Sequence, residues 1–293
     1  MSSFERIHPA LSQALAKRGY ETLTPVQNAV LDSALGEQDL LVSAQTGSGK
    51  TVAFGLACAS TLLGETERFE HKSKPLALVI APTRELALQV KRELEWLYGM
   101  SGASVTSCVG GMDIRAERRA LDKGAHIVVG TPGRLRDHIE RGYFDTSALR
   151  AVVLDEADEM LSMGFYKEVT GILSKCGDCQ TLLFSATVEE DVKRIVRKFL
   201  DDPVDIMLST DTDKVEGITH MLYEVDPSYH RVRALLGILD SLENVGSTII
   251  FCNTREDTST VAAFLDKQGL DCQLISGELP QKKRERVMER MKS

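Results

Sequence analysis

The stretch that decides the fold is Asp39-Leu40-Leu41-Val42-Ser43-Ala44-Gln45-Thr46-Gly47-Ser48-Gly49-Lys50-Thr51. Residues 39–43 form an apolar run that reads as a buried strand, and residues 52–63, rich in Ala, Leu and Phe, read as a helix. A glycine-rich turn between strand and helix lets loop amides and the helix N-terminus converge on an anionic phosphate. Gly47 and Gly49 permit backbone angles that a side chain forbids. In such a loop Lys50 reaches the outer phosphates and Thr51 ligates Mg²⁺, so Ala44, Gln45, Thr46, Gly47, Ser48, Gly49, Lys50 and Thr51 are expected to cradle a nucleoside triphosphate. One departure stands out, because Ala44 occupies the place of the usual first glycine.

Working outward, apolar runs recur at residues 76–80, 105–109, 126–129, 151–154 and 181–184. Between them lie amphipathic or charged stretches at 84–97, 115–123, 132–141 and 189–200. This alternation predicts an α/β fold, a largely parallel sheet flanked by helices on both faces. Functional loops are then expected at the carboxyl ends of the strands. A chain of 293 residues has room for about two domains. We expect the first to span residues 1–208, followed by a polar linker at 209–216. A second alternating series occupies 217–293, with strands at 221–225, 248–252 and 271–275 and helices at 230–242, 257–268 and from Gln281. Three strands make a small sheet, so this second domain is expected to be incomplete.

Composition is that of a soluble globular protein, with no apolar run long enough to span a bilayer and no signal-peptide pattern at Met1-Ser2-Ser3-Phe4-Glu5-Arg6; a cytoplasmic location is the expectation. The net charge of −8 argues against wholesale coating of nucleic acid, without excluding a local basic cleft. The six cysteines sit mostly in apolar patterns, as buried thiols of a reducing compartment do. Cys176-Gly177-Asp178-Cys179 has metal-ligand spacing but no second pair at a suitable distance, and reads as a loop before the next strand.

The acidic run Asp155-Glu156-Ala157-Asp158 follows an apolar strand, which aims it at the nucleotide crevice. There Asp155 is expected to hold Mg²⁺ through water and Glu156 to polarise the attacking water. The phosphate loop together with this acidic run resembles the DEAD-box ATP-dependent RNA helicases of superfamily 2, with tandem RecA-like domains. The resemblance extends along the whole chain. Gly19-Tyr20 and Thr24-Pro25-Val26-Gln27 are similar to that family's Q motif, with Phe4 as its upstream aromatic. It implies that Gln27 pairs with the adenine edge and that Tyr20 belongs to the adenine site. Thr24 and Pro25 also read simply as a helix cap and first turn.

Pro82-Thr83-Arg84, Gly110-Gly111 and Thr131-Pro132-Gly133-Arg134 each follow an expected strand and resemble the family's RNA-backbone motifs. Hydroxyls, glycine amides and arginines at helix starts suit phosphate contacts that carry no base code. Ser185-Ala186-Thr187 resembles the element whose hydroxyls bond the last acid of the box, here Asp158, and implies interdomain coupling through Asp158, Ser185 and Thr187. In the second domain Asn253 and Thr254 resemble part of motif IV, and Gln281 and Arg284 the Gln-x-x-Arg element, both implying RNA contact. The resemblance thus implies ATP and Mg²⁺ as cofactors, RNA as partner, and Lys50, Asp155 and Glu156 as the catalytic set. The family's last two motifs, with arginines that contact the γ-phosphate, are expected beyond Ser293. That leaves an ATP-gated RNA clamp with little turnover as the alternative to a helicase. A DNA-directed translocase is a third reading, disfavoured by Gln27 and Ala157.

Overall fold

Seven short strands set the frame: β1 (Leu40–Ser43), β2 (Ala77–Ile80), β3 (Val105–Cys108), β4 (Ile127–Gly130), β5 (Ala151–Leu154), β6 (Gln180–Ser185) and β7 (Val204–Met207). In the computed structural model they form one wholly parallel sheet in the order β3-β4-β2-β5-β6-β1-β7. The structure describes residues 3–33, 38–70, 74–208, 219, 221–225, 231–241 and 246–292.

Near-continuous apolar strands are what a sheet covered on both faces requires. Successive side chains alternate between two cores. Leu40, Val42, Val79, Val129, Val153 and Phe184 pack on one face, while Leu41, Leu78, Ile80, Val128, Val152 and Leu183 pack on the other. The first core is closed by α1 (Pro9–Lys17), α2 (Pro25–Ser33), α3 (Lys50–Ala57), α4 (Ala59–Leu63) and α5 (Arg84–Leu97). The second is closed by α6 (Ile114–Asp122), α7 (Pro132–Glu140), α8 (Ala157–Ser162), α9 (Tyr166–Leu173) and α10 (Glu190–Phe199). Phe54 of α3 meets Phe184 of β6 edge-on at 5.6 Å, and the Tyr98 hydroxyl donates to the Gly55 carbonyl at 2.6 Å. The helix after the phosphate loop is thereby fixed to the sheet and to the chain that follows α5.

The chain divides into two units, residues 1–214 and 215–293. The expected linker lies at 209–216, outside the described residues. The expected six strands of the first unit are all present. β7 was not anticipated, because only Ile206 of its four residues is buried and the period is too short to register.

The second unit carries α11 (Arg231–Ser241), α12 (Arg255–Lys267) and α13 (Gln281–Lys292). The three strands expected at 221–225, 248–252 and 271–275 are not formed as ladders among the described residues. Leu222, Ile249 and Phe251 are exposed there, and Leu265 is the one buried residue among those described in this unit. Parallel strands need both faces covered, and these stretches have no such cover among the described residues.

Candidate nucleotide and RNA site

The strand order sorts the motif-bearing loops. β5, β6 and β1 are adjacent, so the loops after them bring Asp155, Ser185 and the 44–51 turn side by side at one end of the sheet. β3, β4 and β2 are likewise adjacent and present Gly110, Thr131 and Pro82 at the same end. Pairing of Ile80 with Leu154 joins the two halves.

In the nucleotide half, the Ala44 amide donates to the Ser185 carbonyl at 3.1 Å, continuing strand pairing one residue into the loop. Ala44 is not among the residues of positive φ, which explains why alanine serves where glycine is usual. Gly47 (φ 82°) and Gly49 (φ 89°) do adopt the left-handed region. Lys50 opens α3, is buried, and donates from Nζ to the Ala44 carbonyl at 3.1 Å. Thr51 is half-buried beside it, and Ser48 Oγ is buried without a partner among the described residues.

Asp155 is 2% exposed and its Oδ1 has no hydrogen-bond partner among the described residues. Burial pushes its carboxyl up to about 7, opposed by the Lys50 cation and assisted by Glu156 and Asp158. Burial likewise raises Glu156, which sits at φ 53°, ψ 56° between β5 and α8. A glutamate held in the left-handed region costs ~1–2 kcal/mol, the kind of strain that clusters at functional sites. A buried carboxylate oxygen and a buried hydroxyl without partners, beside a buried lysine and two left-handed glycines, fit a triphosphate with a hard divalent cation.

Gln27 is buried under this loop. Its Oε1 accepts from the Thr24 amide at 3.0 Å, and its Nε2 donates to the Gly49 carbonyl at 3.3 Å. A Cβ placed on Gly49 would stand 2.6 Å from that Nε2. Gln27, expected at the adenine edge, also buttresses the phosphate loop. Tyr20 packs against Trp96 with ring centroids 5.9 Å apart, and the Arg18 guanidinium covers Trp96 at 5.3 Å. Phe4 packs on the same core as Tyr20.

Asp158, Ser185 and Thr187 are brought together. Asp158 Oδ2 accepts from the Thr187 amide at 2.9 Å and from its hydroxyl at 3.0 Å. Ser185 Oγ donates to the Thr187 carbonyl at 2.7 Å and accepts from the Asp158 amide at 3.2 Å. The acidic run after β5 is therefore latched to the loop after β6.

In the other half, Thr83 caps α5 by accepting from the Leu86 amide at 3.2 Å. The Arg84 guanidinium lies over Gly111, where a Cβ would collide with Nη2. Gly110 donates its amide to Thr131 Oγ1 at 3.3 Å, and Pro132 and Gly133 form the first turn of α7. Arg134 does not project outward. It donates to Glu117 Oε2 at 2.7 Å and to the Met112 carbonyl at 3.3 and 3.4 Å. Glu117, His138 and Met112 were missed from sequence. Glu117 shares the i, i+4 inner stripe of α6 with buried Leu121, a signal hidden by the surrounding arginines. In the second unit Asn253 is exposed, and Thr254 caps α12 by accepting from the Asp257 amide at 3.0 Å. Gln281 and Arg284 lie in the first turn of α13, the Gln281 side chain falling outside those described.

All six cysteines are free thiols. Cys176 lies on the expected loop but is buried, and its Sγ donates to the Ile172 carbonyl at 3.2 Å. Among the described residues, one cluster has metal-ligand composition: Cys108, Glu117 and His138, whose donor atoms lie within 4.8 Å of one another. Burial pushes the Cys108 thiol up to about 12, so it offers no thiolate, and the Arg134 cation already occupies the carboxylate.

The fold and loop arrangement of the first unit is that of a phosphate-loop α/β protein. Residues 24–195 match the family model of the DEAD/DEAH box helicases, and residues 230–293 match that of the helicase conserved C-terminal domain. The chain belongs to the DEAD/DEAH box helicase family. Among its relatives, the ATP-dependent RNA helicase DeaD of Haemophilus influenzae is 38% identical over 286 residues, covering 96% of this chain and 45% of the relative. DEAD-box ATP-dependent RNA helicase 9 of Oryza sativa is 39% identical with the same two coverages. The ATP-dependent RNA helicase RhlB of Shewanella piezotolerans is 35% identical, covering 98% and 66%. A solved DEAD box protein from the hyperthermophile Methanococcus jannaschii superposes with a TM-score of 0.64 at 33% identity, over 98% of this chain and 75% of that one. The chain thus spans about half the length of several of the curated relatives it matches. No described helix is long and apolar enough to cross a membrane.

Proposed function

We propose that this chain is the core of an ATP-dependent RNA helicase, in which binding and hydrolysis of ATP drive local separation of RNA strands. The observation that carries this reading is the sorting of loops along the sheet. The β1, β5 and β6 loops gather Lys50, Asp155, Glu156 and Thr187, the β2, β3 and β4 loops gather Arg84, Gly110, Gly111 and Thr131, and one sheet holds both sets in register.

In this reading Gln27 and Tyr20, with Phe4, select adenine. The amides of Gln45 to Gly49 and the Lys50 ammonium hold the phosphates. Thr51 and, through water, Asp155 hold Mg²⁺, which when bound offsets negative charge on the outer phosphates. Glu156 orients the attacking water and accepts its proton. The Asp158–Ser185–Thr187 latch transmits the state of the acidic run to the loop after β6. Pro82, Thr83, Arg84, Gly110, Gly111, Thr131, Pro132 and Gly133 hold the RNA backbone in the first unit, with Asn253, Thr254, Gln281 and Arg284 serving in the second. Such contacts read shape and charge, so the core selects RNA without a base code. Six free thiols and the lack of a membrane-spanning helix among the described residues support a cytoplasmic setting.

The test is ATP-dependent separation of a short RNA duplex, with single-stranded RNA and DNA compared as stimulators of hydrolysis. The reading expects strand release that requires ATP and stimulation by RNA over DNA. Equal stimulation by DNA would favour a DNA translocase instead.

A further inference from the structure

Beneath the Gly110–Gly111 turn lies a buried polar network that the nucleotide chemistry does not use. Glu117 is 7% exposed and accepts three N–H donors: the Val109 amide on Oε1 at 2.8 Å, and Arg134 Nη1 and His138 Nε2 on Oε2, both at 2.7 Å. An ionised carboxylate only accepts, so His138 carries its proton on Nε2. Arg134 completes the circuit by donating to the Met112 carbonyl, and Thr131 Oγ1 accepts from the Gly110 amide at 3.3 Å. The residues immediately before and after the glycine turn, Val109 and Met112, are thus both tied to the first two turns of α7.

We infer that Glu117, Arg134 and His138 form a brace that presents the Gly110–Gly111 turn to RNA, with Arg134 acting as a positioning residue and not as a phosphate ligand. The inference deepens the RNA reading of that turn and rests on it. Arg134 is 15% exposed at its side chain and its charge is already matched by a buried carboxylate. Arg84, by contrast, lies across Gly111 on the turn itself. A carboxylate is the one side chain of this length able to accept all three donors. A glutamine at position 117 would set its own N–H₂ against either the Val109 amide or the Arg134 and His138 donors, whichever way it turned.

The experiment measures single-stranded RNA affinity of the full chain across a range of salt concentrations, for wild type, E117Q, R134Q, R134K and the E117Q/R134Q double variant. The brace predicts that E117Q and R134Q each weaken RNA binding about tenfold, the net worth of a charge-assisted hydrogen bond. The double variant is expected to bind no more weakly than either single one, and the salt slope to stay at the wild-type value. R134K keeps the charge but not the planar fork, and is expected to bind as poorly as R134Q. A phosphate ligand behaves differently: its removal lowers the salt slope by ~0.7 on a single strand, and lysine restores much of the affinity. That result overturns the inference, as does wild-type affinity in both E117Q and R134Q. R134K keeps the surface charge and a cation beside Glu117, so it tests the inference even if E117Q fails to fold. A wild-type chain that binds no RNA would overturn the RNA reading, and the inference with it.

Discussion

Replacing Gln27 probes both the phosphate loop and the base it serves. A glutamine amide can make four hydrogen bonds, and two are used here, to the Thr24 amide and the Gly49 carbonyl. One N–H and one lone pair remain, the pair that matches the N6 donor and N7 acceptor of adenine. Gln27→Glu keeps the acceptor for Thr24 but sets a carboxylate oxygen against the Gly49 carbonyl 3.3 Å away. It also leaves no donor for N7. Discrimination by such a bidentate pair is worth ~1–3 kcal/mol, so the preference for ATP over GTP should fall about 5- to 150-fold. Gln27→Ala removes both observed bonds, at ~1 kcal/mol each, and should lower the melting temperature by ~4–8 °C for a unit of this size. Calorimetric titration with ATP and GTP, paired with thermal unfolding, measures both effects. A Gln27→Glu protein that keeps the wild-type ratio of ATP to GTP affinity would mean that the base is read elsewhere and not by Gln27.

The raised Asp155 carboxyl sets a pH dependence. Its folded value of about 7 lies above the ordinary 3.8, so its unfavourable contribution appears as pH rises from about 4 and is complete above 7. Asp155→Asn should therefore raise the melting temperature of the nucleotide-free protein at pH 8 and leave it near wild type at pH 3.5, read from unfolding curves across that range. Thr187→Val removes the hydroxyl bond to Asp158 while sparing the amide bond, and should cost ~1 kcal/mol in denaturant unfolding. The same variant should reduce the factor by which an ATP analogue tightens RNA binding. Gly130→Ala places a Cβ against the Cys108 carbonyl and 2.7 Å from Leu135, so the β3–β4 pairing must shift. Such overpacking should destabilise the chain by ~1–3 kcal/mol, seen as a lower denaturant midpoint with an unchanged slope.

Where a residue's local pattern and its tertiary role coincide, the sequence was legible. Apolar runs such as 151–154 are strands because they are buried on both faces, and the glycines of the phosphate loop mark a turn because a side chain makes their angles costly. Asp158 and Thr187 were legible as partners only through the family resemblance, since 29 residues separate them. Glu117 was not legible. Among Arg115, Arg118 and Arg119 it reads as one more charge on a solvated helix, and its burial depends on α7 supplying Arg134 and His138. The inward turn of Arg134 was hidden for the same reason. In the second unit the apolar runs at 221–225 and 248–252 carry strand-like sequence, but pairing is a property of neighbours and cover, which a run by itself does not encode.

The proposed function requires that nucleotide binding in the 44–51 loop be coupled to RNA binding across the β2, β3 and β4 loops. The most direct test is the affinity for single-stranded RNA with and without a non-hydrolysable ATP analogue and Mg²⁺, in wild type and Lys50→Ala. Coupling of ~1–3 kcal/mol predicts that the analogue tightens RNA binding about 5- to 150-fold in wild type, that RNA tightens the analogue by the same factor, and that both effects vanish in Lys50→Ala. RNA affinity indifferent to the analogue, or equally responsive in Lys50→Ala, would contradict the account.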